Sequence, residues 1–182
     1  GGLDLSEVSD LTALVLMGRR ESVWHVVPTF WLPAEGLAEK ARVDRVPYDV
    51  WAKQGFLQTT PGKSIEYEYV AAVLYEMHRT LTIRKLAFDR WNFRHLKPWL
   101  QKAGFRDDEI EGETAIFKEF GQGFQSMSPA LRTLESMLLN GQIAHAGQIK
   151  PGANRGAIDG RNHRNFKRGK GQRKALDPAL VI

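Results

Sequence analysis

Cysteine is absent from the 182 residues, which excludes a disulfide scaffold and any thiolate-ligated metal site. Long apolar runs are also missing: none reaches the ~18 residues of a membrane-spanning helix. The chain opens Gly1-Gly2-Leu3-Asp4, with no basic segment of the kind that begins a secretory signal. It has no initiator Met either, so it is expected to be an excised piece of something longer. His25, His78, His95, His145 and His163 fit no zinc-ligand spacing. There is no Gly-x-x-x-x-Gly-Lys-Ser/Thr loop to hold ATP phosphates, and no Gly-x-Ser-x-Gly elbow for a serine nucleophile. No internal repeat is visible.

What is present reads as one globular α/β domain. The hydrophobic fraction is 42% and the charged fraction 26%, on a chain long enough to bury a core. The net charge of +5 is unevenly placed. Nine basic residues (Lys150, Arg155, Arg161, Arg164, Lys167, Arg168, Lys170, Arg173 and Lys174) and two acidic ones (Asp159 and Asp177) leave residues 148–182 at +7, so residues 1–147 carry −2. The predicted division is therefore a folded domain over 1–147 and a basic, disordered or atypical tail over 148–182. Such a tail suits phosphate contacts, and equally a solvated end.

Residues 2–6, 11–18 and 22–31 read as three consecutive strands, an antiparallel meander. A short helix is expected after Pro47, closed by Gly55, followed by a turn at Thr59-Thr60-Pro61-Gly62. Ser64 is placed to cap a longer helix with Ile65, Tyr69, Ala72, Val73 and Met77 on one face. A buried strand follows over 83–89, then a helix to Gly104 in which Pro98 implies a kink or a late start. A strand over 115–120 comes next. Ser128-Pro129 opens a helix with Leu131, Leu134 and Leu138 on one face, stopped by Gly141. The order β-β-β-α-α-β-α-β-α calls for a mixed sheet with helices packed on it. The five tryptophans, Trp24, Trp31, Trp51, Trp91 and Trp99, read mostly as core packing.

Two acidic residues stand out against this pattern. Asp4 interrupts the apolar run Gly2-Leu3-Asp4-Leu5-Ser6, and Asp89 ends Leu86-Ala87-Phe88-Asp89. A carboxylate held inside a strand costs several kcal/mol in desolvation unless a cation offsets it. Folded side by side, the two would suit a hard divalent cation. Plain alternatives stand beside that reading. Asp4 could face solvent from an edge strand, Asp89 could pair with Arg90 or Arg94, and Asp10 could serve a turn. Asp159, in Ala157-Ile158-Asp159-Gly160, could likewise belong to a simple turn.

Further motifs add a resemblance. Gly2-Leu3-Asp4-Leu5-Ser6 with Ser9-Asp10-Leu11-Thr12-Ala13 resembles the opening of the nuclease domain of the large terminase subunit of tailed bacteriophages. The likeness continues through Trp51, Gly55-Phe56-Leu57, Thr60-Pro61-Gly62 and Ile65-Glu66-Tyr67. It returns at Ala87-Phe88-Asp89-Arg90-Trp91, at Gln122-Gly123-Phe124-Gln125-Ser126-Met127-Ser128-Pro129-Ala130, and at Gly141-Gln142-Ile143-Ala144-His145. These matches run in order across residues 1–147.

The resemblance implies a ribonuclease H-like fold: an antiparallel meander followed by parallel strands, flanked by helices. It implies two-metal hydrolysis of double-stranded DNA with two Mg²⁺ or Mn²⁺ ions, cutting concatemeric viral DNA during packaging in the host cytoplasm, with no membrane. Asp4 and Asp89 match family metal ligands. Asp159 has the shape of the third, although it follows His145 too soon and is succeeded by Arg161-Asn162-His163-Arg164 in place of an apolar helix. The family's preceding ATPase domain is not in these residues, and the small terminase subunit and the portal are implied partners. The alternative is a catalytically incomplete DNA-binding or docking module on the same fold. A resolvase or transposase core is a third reading.

Overall fold

The computed structural model describes residues 1–6, 8 and 10–145; Asp159 and the tail from 148 lie outside the described residues. The first strands follow from side-chain alternation. Thr12, Leu14 and Leu16 are buried while Ala13, Val15 and Met17 are half-buried, so β2 (Thr12–Arg20) has one core face. β1 (Gly2–Asp4) pairs antiparallel with β2, and β2 with the eleven-residue β3 (Val23–Pro33). This is the expected meander, though β1 stops at Asp4.

β3 is long enough to carry two short parallel partners along its other edge. Near its end Trp31, Leu32 and Pro33 pair with β4 (Gln58–Thr60), after α1 (Leu37–Asp44) and α2 (Tyr48–Lys53). Near its start Trp24, His25 and Val26 pair with β7 (Ile143–His145). On the opposite side of β1, β5 (Leu86–Phe88) and then β6 (Phe117–Glu119) add in parallel. The order is β4-β3-β2-β1-β5-β6, with β7 also on β3. The result is an α/β mixed sheet, antiparallel and then parallel, flanked by helices.

The main core cluster lies on one face. Leu3, Leu14, Leu16, Leu86 and Phe117 meet Val70, Ala71 and Leu74 of α3 (Tyr67–Leu81) and Phe93, Leu96 and Leu100 of α4 (Arg90–Ala103). Burying each such side chain contributes roughly 1.5–3 kcal/mol. A chain of rings ties α3 and α4 to β5 and β6: Phe88 stacks on Phe93 at 3.8 Å between centroids, Phe93 meets Phe117, Phe117 meets Phe105, and Phe105 meets Tyr75. α3 starts at Tyr67 without a Ser64 cap, and its buried stripe is rotated from the expected one, leaving Tyr69 and Ala72 exposed. α4 runs through Pro98, and α6 (Phe124–Leu139) starts four residues before Ser128 and runs through Pro129. Each proline deprives only the carbonyl four residues earlier, on exposed Arg94 and exposed Gln125, where water can replace the missing bond. The one-turn α5 (Asp107–Ile110) completes the set.

Candidate functional site

Strand register brings the two singled-out acidic residues to neighbouring positions. Gly2 lies beside Ala87 and Leu3 beside Phe88, so the next step of the same parallel ladder sets Asp4 beside Asp89. Neighbouring strands run about 4.8 Å apart. Both residues therefore sit at the carboxyl ends of adjacent parallel strands, where ligands gather in open α/β sheets. Alternation turns Asp4 away from buried Leu3, and Asp89 away from Phe88 and its stack on Phe93. Asp4 is exposed and Asp89 half-buried.

The plain alternatives hold in part: Asp4 does face solvent, while no pairing of Asp89 with Arg90 or Arg94 forms among the described residues. β1 is an interior strand between β2 and β5, so Asp4 is not on an edge. Arg90 reaches Glu119 at 3.8 Å, and Arg94 donates to His95 Nε2 at 3.1 Å; neither pairs with Asp89. Asp89 does have a structural duty. It is the N-cap of α4, accepting the Trp91 amide on Oδ1 at 3.5 Å. The Asp4 carboxylate makes no hydrogen bond or ion pair among the described residues, although the Asp4 backbone is in the ladder with Ala13.

The chain around Asp4 is held by neutral hydrogen bonds. Asn92 Nδ2 of α4 donates to the Leu5 carbonyl at 2.8 Å, and Tyr67 Oη of α3 donates to the Ser6 carbonyl at 2.8 Å. The Ser6 amide donates to Oγ1 of fully buried Thr12 at 2.9 Å. Two helices and β2 thus fix the exit of β1 without placing a cation beside the carboxylates. Two like charges on neighbouring strands repel, and a shared divalent cation is the direct relief. All-oxygen donors are what Mg²⁺ and Mn²⁺ prefer, so the residues present fit such ions.

Other acids lie elsewhere. Asp10 is exposed in the β1–β2 connection, where it adds to the charges around Lys40, whose ammonium is held above its usual range chiefly by a hydrogen bond from Lys40 to Asp44. Glu119 ends β6, but it registers with Phe88 and so belongs to the other face of the sheet. No group of three metal-ligating side chains forms among the described residues.

Sequence reasoning misplaced one aromatic at this edge. Trp31 is buried as expected at 1% exposure, but Trp91, read as core, is 68% exposed in the first turn of α4. The Arg90 guanidinium carbon lies 5.1 Å from the Trp91 ring.

Two carboxylates at the parallel strand ends of a mixed sheet offer an all-oxygen donor set. The comparisons with known proteins give that arrangement a family. Residues 1–156 match the family model of the terminase large subunit, endonuclease domain, and the chain belongs to that family. It is 43% identical over 145 residues to the terminase large subunit of Enterobacteria phage HK97, a match spanning 79% of this chain and 27% of that protein. The crystal structure of the HK97 bacteriophage large terminase superposes with a TM-score of 0.71 at 42% identity, over 81% of this chain and 29% of that one. The chain thus spans less than a third of the relatives it matches.

Proposed function

We propose that this chain is a two-metal-ion DNA endonuclease domain on a ribonuclease H-like fold, which cuts concatemeric phage DNA during genome packaging. The observation that carries the reading is the register that sets Asp4 beside Asp89 at the sheet's parallel strand ends, in a member of the terminase endonuclease family.

Asp4 and Asp89 would hold Mg²⁺ or Mn²⁺ through their carboxylate oxygens, with Asp159 the candidate third ligand from the tail. Ions bound there would supply Lewis acidity toward a scissile phosphate and toward the attacking water. The chain's own part is positional. Asp89 is aimed by its bond to the Trp91 amide, and the exit of β1 is fixed by Asn92, Tyr67 and Thr12. Neither carboxylate needs to carry a proton. Double-stranded DNA is the proposed substrate, and the host cytoplasm the proposed setting. A preceding ATPase domain, the small terminase subunit and the portal are the proposed partners. Among the described residues no helix is long and apolar enough to cross a membrane.

Plasmid nicking in Mn²⁺ tests the reading. Wild type is expected to nick, and Asp4→Asn and Asp89→Asn each to reduce the rate by a hundredfold or more, since each removes a charged ligand (on the order of the loss on removing a key electrostatic group). Activity that survives both substitutions overturns it. The docking-module reading is favoured by one observation, the lack of a third ligating acid among the described residues. DNA binding without nicking at any Mn²⁺ concentration would select it.

A further inference from the structure

Trp91 is the largest kind of side chain in the protein and yet lies mostly in water. α4 buries Phe93, Leu96 and Leu100, and its helical phase turns Trp91 away from that stripe. Its backbone is tied to the site, because its amide is the one bonded to Asp89. Arg90 packs over its ring, and the ion pair from Arg90 to Glu119 at 3.8 Å joins two largely exposed side chains, an arrangement that a phosphate can replace at little cost. Phe120 adds a second ring. Its amide donates to the Phe88 carbonyl, so it stands across the ladder from Asp89, and it is 38% exposed. Four positions on, Phe124 opens α6 at 92% exposure. Trp91 and Phe120 thus leave apolar ring surface in water at positions next to Asp89 in the chain and in the sheet.

Given a DNA-cutting site at Asp4 and Asp89, as proposed above, we infer that Trp91 is a positioning residue whose ring stacks on an unpaired nucleobase next to the scissile phosphate, with Arg90 on the neighbouring phosphate. The chemistry selects a base over other partners. A flat ring flanked by a guanidinium offers one π face for stacking and one cation for the backbone, the recurring pair in single-strand recognition. Within a duplex each base face is covered by its neighbours, so the ring is usable only where the strand is opened or frayed. The site then favours a locally unpaired strand over intact duplex.

The test uses the full 182-residue chain, with fluorescent oligo-dT and a blunt duplex of the same length, in Ca²⁺ so that binding is read apart from cleavage. Trp91→Ala is expected to weaken oligo-dT binding about 5- to 150-fold, the range for removal of one base–aromatic stack. Trp91→Phe is expected to recover most of that affinity, and duplex binding to change less than oligo-dT binding. In Mn²⁺, Trp91→Ala should raise KM on a plasmid carrying an unpaired bubble more than it lowers kcat. Thermal denaturation should match wild type, since the ring has little packing in the core.

Oligo-dT binding unchanged in Trp91→Ala overturns the inference, and would leave the ring as a surface for protein. Equal weakening in the Ala and Phe variants overturns it too, as does a wild-type chain with no affinity for oligo-dT. The metal-site reading fails separately: if Asp4→Asn still nicks, the carboxylates lose their role while the oligo-dT result still decides Trp91.

Discussion

Asp89 has two duties that a single substitution need not remove together. It stands next to Asp4 by strand register, and its carboxylate caps α4 through the Trp91 amide. Asparagine keeps a cap oxygen and alanine does not. Asp89→Asn is therefore expected to unfold in urea at the wild-type midpoint while losing nicking. Asp89→Ala should lose nicking and also about 0.5–1 kcal/mol of stability, the low end of the range for removing a cap because the bond is long. Equal destabilisation by both would show that the negative charge at the helix N-terminus matters more than the cap. Asp4 and Asp89 were legible in the sequence because each breaks an apolar strand, a pattern that needs no knowledge of tertiary structure. Their adjacency was not legible from alternation, since it depends on which strands pair. Trp91 was misread for a different reason. It lies two residues before Phe93, about 200° round the helix from it, and only the observed phase of α4 shows that this direction faces water. Asp159 lies outside the described residues and remains an expectation.

Gly104 closes α4 with φ +118°, a backbone conformation that residues with a Cβ rarely adopt. A Cβ there would lie 2.7 Å from Cζ of Tyr75, on the helix packed beside it. Gly104→Ala is expected to cost about 1–3 kcal/mol, combining strain with displacement of the ring; a denaturation midpoint equal to wild type would show that Tyr75 moves aside freely. Elements with strong local signals were readable: β2 and β3 as apolar runs bounded by turn residues, and the end of α4 from Gly104. The three-residue strands β4 and β7 were not, because their pairing is supplied by the long edge of β3 and leaves no period in so few residues. The stretch of β4 looked like a turn because Thr60 is followed by Pro61-Gly62. α1 was missed because it buries no residue and so carries no apolar stripe. The early start of α6 was hidden by Pro129, which reads as a first-turn proline when it follows a serine.

Charge is unevenly divided along the whole chain. Residues 1–147 carry −2 and the tail +7, so in the proposed function the attraction to DNA falls to residues 148–182. Replacing the tail's nine basic residues with glutamine should weaken DNA binding at low salt. It should also flatten the dependence of log affinity on log salt by about 0.9 for each phosphate that the tail no longer neutralises; an unchanged slope would assign phosphate binding to the folded domain. The sheet bears on the site differently. β1 has three residues, and its ladder with β5 joins positions 85 apart in the chain. Neither half of the carboxylate pair has a neighbour until that distant closure is made. A half-synthesised or unfolded copy thus holds both acids apart, and the proposed cutting site comes into being only with the closed sheet.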